Sequence, residues 1–364
     1  MRFSSNSFVN ALWLTSLGTP SVAAPSSHGL KGPELKHWPP KAAKALNKMI
    51  AANANDGRYA VFDMDNTSYQ FDLEESLLPY LENKGILTRE TMDPTLKLIP
   101  FKDTKRHNET LYSYYLRLCE IDDAVCYPWV AQIFSGFPLR ELKGHVDDLL
   151  SLNETIPATY FEDGERTPID ISPPKIFQGQ VELYNRLMAN GIKVYVVSAA
   201  SEELVRMVAS DPKYGYNVPP QNVIGVSLLL KNERGGLSTA RKQIDDEEYS
   251  RKTQQQNLNS ELTPFLWAPA TWKAGKWAAI LTYIDPWRRP ILAAGDTPDS
   301  DGPMIFYGVD VERGGIHLWV DRRDSYREEI EEMIKDNARA QKKEGLPVTA
   351  NKNWIFVKPA DLHD

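Results

Sequence analysis

The chain has 364 residues, 42% hydrophobic and 10% aromatic, enough to bury a sizeable core in one large domain with an insertion or in two domains. Its formal charge of -7 is spread along the sequence rather than gathered into basic clusters, which excludes the footprint of a nucleic-acid binder.

Residues 1–24 read as a signal peptide: Arg2 is the sole charge, "FVNALWLTSLG" is a modest apolar segment, and Val22 and Ala24 are small residues before a cleavage point. The apolar run is shorter than the roughly 20 residues that span a bilayer, so a stable membrane anchor is not expected. The protein is expected to be secreted, or periplasmic in a bacterium. Cys119 and Cys126 in "LCEIDDAVCY" either pair across the acidic turn between them or stay as two thiols. "NET" at Asn108 and Asn153 gives two glycosylation sequons.

After the leader, "KAAKALNKMIAANA" has helical apolar spacing and precedes the strand "YAVFD". Further strands are expected at 193–200, 222–228, 290–296, 315–320 and 353–357. Helical patterns separate most of them, in "QVELYNRLMANG", "EELVRMVAS", "KWAAILTYI" and "SYREEIEEMIKDNARAQKK". This alternation predicts an α/β fold, a mainly parallel sheet with helices on both faces. About 110 residues of helical character separate the first strand from "KVYVVSAA", too long for an ordinary crossover and read as an inserted helical subdomain. The polar stretch 229–262 is either a β-hairpin or a mobile loop. No internal repeat occurs, and the sequence does not speak to oligomeric state.

In doubly wound sheets, ligands gather where the C-terminal ends of the strands converge. The first strand ends in Asp63, Asp65 and Thr67, "KVYVV" in Ser198, and "PILAAG" in Asp296, followed by Asp299 and Asp301. Lys276 opens a helix in "TWKAGKWAAIL", with Lys273 as the alternative lysine. Carboxylates, two hydroxyls and a lysine suit phosphoryl transfer with a hard divalent cation. Alone, each element has a plainer reading, as a solvated turn, a strand cap or a surface lysine. A calcium loop counted from Asp63 to Glu74 fails because Ser68 stands where the sharp turn wants glycine and a strand, not a helix, precedes it.

The ordered set "DMDNT", "VVSAAS", "AGKWAAIL" and "GDTPDSD" resembles the haloacid dehalogenase superfamily of aspartate-nucleophile phosphatases, over nearly the whole chain past the leader. Within it, "FDMDNT", "SAAS", "GDTPDSD" and the lead-in "HWPPKAAKALNKMIAANA" look like the phosphorylcholine phosphatases. The resemblance implies a Rossmann-like core at 25–78 and 174–364 with a helical cap at 79–173. It implies Asp63 as nucleophile and Asp65 as general acid and base. Mg²⁺, or another divalent cation, would be held by Asp63, the Asp65 carbonyl and Asp296, with Asp301 behind them. Thr67, Ser198 and Lys276 would bind the phosphoryl oxygens.

The substrate is expected to be a small phosphate ester. A quaternary ammonium is held best by aromatic faces with carboxylates nearby, and Glu74, Glu75, Tyr114 and Tyr115 are the candidates. Leu116 stands where the resemblance leads one to expect an acidic residue. Core packing is the plainer reading of the tyrosines, and helix-dipole complementation that of the glutamates. Three functions follow: a phosphorylcholine or phosphoethanolamine phosphatase, a broad acid phosphatase or phosphoserine-type enzyme using one of the cap arginines Arg89, Arg106, Arg117 and Arg140, and a non-catalytic choline-binding module.

Overall fold

The computed structural model describes residues 29–162, 165–246, 258–267 and 270–363; the expected leader at 1–24 lies outside them. The strands are β1 (Tyr59–Phe62), β2 (Tyr69–Gln70), β3 (Ile156–Glu162), β4 (Glu165–Ile171), β5 (Lys175–Ile176), β6 (Lys193–Ser201), β7 (Val223–Val226), β8 (Leu228–Lys231), β9 (Leu237–Ser238), β10 (Glu261–Leu266), β11 (Leu292–Gly295), β12 (Ile316–Val320) and β13 (Trp354–Val357). The helices are α1 (Pro40–Asn53), α2 (Leu73–Asn83), α3 (Leu111–Ile121), α4 (Asp123–Gln132), α5 (Leu139–Leu150), α6 (Gln178–Ala189), α7 (Glu202–Ala209), α8 (Ala240–Asp245), α9 (Ala274–Ala279), α10 (Pro298–Gly308) and α11 (Asp324–Lys343).

Six strands form one parallel sheet in the order β13-β12-β11-β1-β6-β7. Its strands are mostly apolar because both faces are covered, with Lys193 at the start of β6, Ser198 and Ser201 toward its end and His317 within β12 as the polar positions. On β1, Ala60 and Phe62 pack with Leu46 and Ile50 of α1 and Leu183 of α6, while Tyr59 and Val61 pack with Ile305 of α10 and Ile330 of α11. From β1 the chain builds outward through β6 and β7 on one side and through β11, β12 and β13 on the other. The switch point therefore lies at the C-terminal end of β1, where such sheets open a crevice.

Between β1 and β6 the chain carries α2 to α5 and an antiparallel hairpin, β3–β4. The expected boundary at 78–79 falls inside α2, and the hairpin adds strand to a stretch read as helical. Prolines and charges in "IPATYFE" and "ERTPIDI" hide the alternation that would have marked it. The described part of 229–262 holds the β8–β9 hairpin and α8, and β10 joins the hairpin in a three-stranded antiparallel sheet of order β10-β8-β9. The segment before α5 is laced to β10, with Gly136 N–H donating to Leu262 O (2.7 Å) and Leu139 N–H to Ser260 O (2.8 Å).

Cys119 and Cys126 are joined in a disulfide that ties α3 to α4, and Asn108 and Asn153 are exposed. Among the described residues no helix is long and apolar enough to cross a membrane.

Candidate active site

Asp63 follows directly on β1, and its N–H continues the sheet by donating to Ala294 O of β11 (3.0 Å). The chain then turns tightly. Asn66 and Phe71 both adopt left-handed backbone, with φ of 57° and 71°, a cost that is small for asparagine and real for a bulky aromatic. A reciprocal pair holds them there: Asn66 N–H donates to Phe71 O (3.2 Å) and Phe71 N–H to Asn66 Oδ1 (3.1 Å). Strain of this kind persists where the surroundings over-determine it.

Lys276 of α9 is fully buried, its Nζ 2.6 Å from Asp63 Oδ1 and 2.6 Å from Asp301 Oδ1. Burial opposes its charge, but the carboxylates of Asp301 and Asp63 more than offset this and hold the ammonium above its ordinary range. Asp301 Oδ2 accepts the Asp296 and Thr297 N–H groups, both at 2.9 Å. That close approach needs Gly295, since a Cβ there would lie 2.5 Å from the Asp301 Cβ and 2.6 Å from its Oδ2. Asp296 Oδ1 accepts from Thr67 Oγ1 (2.8 Å), and its Oδ2 from Thr297 Oγ1 (2.9 Å) and Arg322 Nε (2.5 Å).

Carboxylate oxygens of Asp63, Asp296 and Asp301 lie within 4.8 Å of one another and all three residues are buried. Such an all-oxygen donor set suits a hard divalent cation. Burial raises the carboxyl groups of Asp63 and Asp296, against the pull of Lys276 and Arg322 respectively. Asp65 is half-buried and pushed up to about 7, chiefly by desolvation, although its Oδ1 accepts from Tyr69 OH (2.7 Å) and Leu73 N–H (2.8 Å). Its side chain stands apart from the three-carboxylate cluster. Ser198 lies two residues beyond Val196, the partner of Phe62, and so stands level with the start of the turn; its Oγ accepts from Ala200 N–H (3.2 Å).

A cavity of about 260 Å³ lies beside this cluster; Asp65, Asp296 and Thr297 line it, whereas Asp63, Thr67, Ser198, Lys276 and Asp301 do not. Its walls include Asp65, Asp296, Asp72 and Glu75, and three rings from different elements: Tyr115 of α3, Tyr127 of α4 and Tyr326 of α11. An adjoining chamber of about 330 Å³ shares Asp72, Glu75, Arg322 and Arg323.

The expected substrate residues divide. Glu75 and Tyr115 reach the cavity. Glu74 touches it too but is buried, its Oε1 accepting Ser201 N–H (2.9 Å) and so tying α2 to the end of β6. Tyr114 is not brought there: it is fully buried against Phe101 and Trp129, and its hydroxyl bonds the backbone of Ile99 (2.9 and 3.1 Å). Lys273 does not line the cavity and is paired on the surface, 3.0 Å from Asp123 and 2.8 Å from Asp299, while Lys276 bridges Asp63 and Asp301. None of the four cap arginines lines the cavity; Arg322 and Arg323 do, from the loop after β12. Asp72, Tyr127, Arg322 and Tyr326 are additions that sequence reasoning did not single out.

No family model matches the chain. A phosphorylcholine phosphatase from Pseudomonas aeruginosa is 64% identical over 330 residues, spanning 90% of this chain and 93% of that protein. The crystal structure of a conserved, functionally unknown protein from Anaerococcus prevotii matches with a TM-score of 0.57, covering 90% of this chain and 97% of that one. At 18% identity, that second likeness speaks for the fold alone. A relative this similar over this much of both chains settles kinship: the chain belongs to the phosphorylcholine phosphatase family, phosphoric monoester hydrolases on a Rossmann-like haloacid dehalogenase core.

Proposed function

We propose that the protein is a secreted, Mg²⁺-dependent phosphomonoesterase that hydrolyses phosphorylcholine or phosphoethanolamine through an aspartyl-phosphate on Asp63. The observation that carries the reading is a single cavity that meets Asp65 and Asp296 at its floor and Tyr115, Tyr127, Asp72 and Glu75 at its wall. Such a cavity matches an anion at one end and a methylated ammonium at the other.

In this reading Asp63 Oδ attacks phosphorus, and the ester oxygen leaves with a proton from Asp65. Asp65 then takes a proton from the water that hydrolyses the acyl phosphate. Its upward shift supports this use, because a carboxyl group held near neutrality can both give and receive a proton. Lys276, Thr67 and Ser198 bind phosphoryl oxygens, and Lys276 keeps a carboxylate nucleophile from repelling an anionic substrate. Asp63, Asp296 and the Asp65 carbonyl, with Asp301 behind them, would hold the divalent cation, which supplies charge stabilisation for the transferring phosphoryl group. Arg322 and Thr297 fix Asp296 Oδ2 and so orient that carboxylate.

We read 25–78 and 174–364 as the catalytic core and 79–173 as a cap that closes over the ester. On the substrate side, Tyr115 is the ammonium ligand among the two adjacent tyrosines, with Glu75 and Asp72 beside it. The disulfide and the exposed sequons support a secreted protein. A phosphoserine-type substrate is the second reading, because Arg323 also lines the cavity.

Phosphate release from phosphorylcholine, phosphoethanolamine, phosphoserine and an aryl phosphate, with Mg²⁺ and with chelator, tests both. A chelator-sensitive preference for phosphorylcholine is expected. Preference for phosphoserine would favour the second reading, and equal rates on all four would leave a broad phosphatase.

A further inference from the structure

The turn that carries Asp63 is held from beneath by side chains that never reach the cavity. Ser68 Oγ lies 2.6 Å from Asp63 O and 2.5 Å from Tyr184 OH. Tyr216 OH donates to Ser68 O, and Gln180 Nε2 donates to Thr67 O at 2.7 Å. Ser68, Thr67, Gln180, Tyr184 and Tyr216 are all fully buried. Gln180 and Tyr184 sit one helical turn apart on α6, on the side of the sheet opposite α10 and α11.

The proton count fixes the direction of the chain. Asp63 O can only accept, so Ser68 spends its single hydroxyl hydrogen there, and Tyr184 must donate to Ser68 Oγ. The order is Tyr184 O–H to Ser68 O–H to Asp63 C=O, a sequence in which each bond polarises the next. The Asp63 N–H is already committed to Ala294 O on the neighbouring strand. Both polar groups of that peptide backbone are thus fixed, and with them the direction in which the Asp63 side chain leaves the chain.

We infer that Ser68 and Tyr184 are positioning residues of the phosphatase, a buried hydroxyl relay that aims the Asp63 carboxylate by holding its backbone carbonyl. The inference rests on the reading of Asp63 as nucleophile. A catalytic carboxylate needs placement to within about 0.5 Å, and support of this kind secures it. Packing already fills the space: the Tyr184 ring lies against Phe62 and Tyr216, with centroids 4.3 and 5.2 Å away. The hydroxyl is therefore separable from the ring.

Tyr184→Phe keeps the ring and deletes one hydroxyl, and steady-state kinetics on an aryl phosphate and on phosphorylcholine read the result. The expected outcome is a kcat about tenfold lower on both substrates, with KM within about twofold of the parent. Ser68→Ala lowers kcat about 100-fold, and adding Tyr184→Phe to it lowers kcat no further, because the tyrosine has lost its acceptor. A Tyr184→Phe kcat within about twofold of the parent would overturn the inference, as would a loss that recurs undiminished in the Ser68→Ala background. Where Ser68→Ala does not fold, Tyr184→Phe decides alone. Asp63→Asn, run in parallel, separates the two levels: retained turnover there removes the nucleophile reading and this inference together, whereas a parent active only on the aryl phosphate alters the substrate reading and leaves the relay to be judged on that ester.

Discussion

Replacing Lys276 with methionine isolates the charge at the centre of the site, because the thioether chain nearly fills the same volume. Two carboxylate oxygens approach the ammonium at 2.6 Å. At an effective dielectric constant near 20, each contact is worth about 6 kcal/mol of gross Coulomb energy, most of it offset by desolvation of the buried ions. Removing only the cation leaves Asp63 and Asp301 facing each other unpaired, and the net cost is expected to be about 3–5 kcal/mol of folding stability. The sign with pH follows. Without Lys276 the Asp63 carboxyl, already raised by burial, loses the cation that pulls it down and moves toward protonation in the folded state, so acid relieves the variant before it relieves the parent. Denaturant unfolding of both proteins at pH 7.5 and 5 measures the gap, which should narrow in acid. A gap below about 1 kcal/mol at pH 7.5, or one that does not narrow, would refute the buried ion triad as described.

Gly295→Ala would set a Cβ against Asp301, 2.5–2.6 Å from its side-chain atoms; the carboxylate must shift off the Asp296 and Thr297 amides, and a stability loss of about 1–3 kcal/mol should accompany loss of activity in melts and assays. His317 is buried beside Trp354, its pKa lowered to about 4 by desolvation. The folded state therefore resists protonating it, and the stability this preserves above pH 6.5 is lost as pH falls toward 4; His317→Gln should remove about 2–3 kcal/mol of the parent's excess loss between pH 7 and 4.5, read by denaturant unfolding. Tyr115→Ala should raise KM for phosphorylcholine about tenfold and leave an aryl phosphate little changed. Tyr114→Phe should leave both KM values alone and cost about 1 kcal/mol through the Ile99 backbone groups it abandons, and the reverse pattern would exchange the roles of the two tyrosines.

What the amino-acid order discloses follows how local each physical cause is. Asp63, Ser198 and Asp296 stand out because a doubly covered strand is mostly apolar until its C-terminal end, so the first polar side chain there marks the sheet's edge. The helix start favours Lys276 over Lys273, and the fold puts Lys276 between Asp63 and Asp301 while Lys273 pairs with Asp123 and Asp299. Arg322 carries no local signal, because an arginine in "VDRRD" resembles any surface residue. The available signal was its place just past β12, next to the strand ending in Asp296, on the edge where all parallel strands finish. Asp72 hid as the N-cap of α2, accepting Glu75 N–H at 2.8 Å. Tyr114 and Tyr115 could not be parted by composition, because consecutive helical residues point about 100° apart and only the packing of α3 decides which meets the cavity. The β8–β9 hairpin is one of the two readings that 229–262 allowed, whereas the addition of β10 rests on long-range pairing, Leu262 with Leu230, which no local pattern announces.

The bond between Cys119 and Cys126 has a bearing on where this enzyme can work at full strength. Tyr115 lies one helical turn before Cys119, and Tyr127 directly follows Cys126, so the sulfur staple sets the spacing of two of the three rings over the cavity. The acidic floor is built on the parallel sheet and contains no cysteine. Compartment chemistry thus bears unevenly on the molecule: in a chain folded among reducing thiols the carboxylate cluster is untouched, while the spacing of the Tyr115 and Tyr127 rings is left to the α3–α4 backbone and its packing.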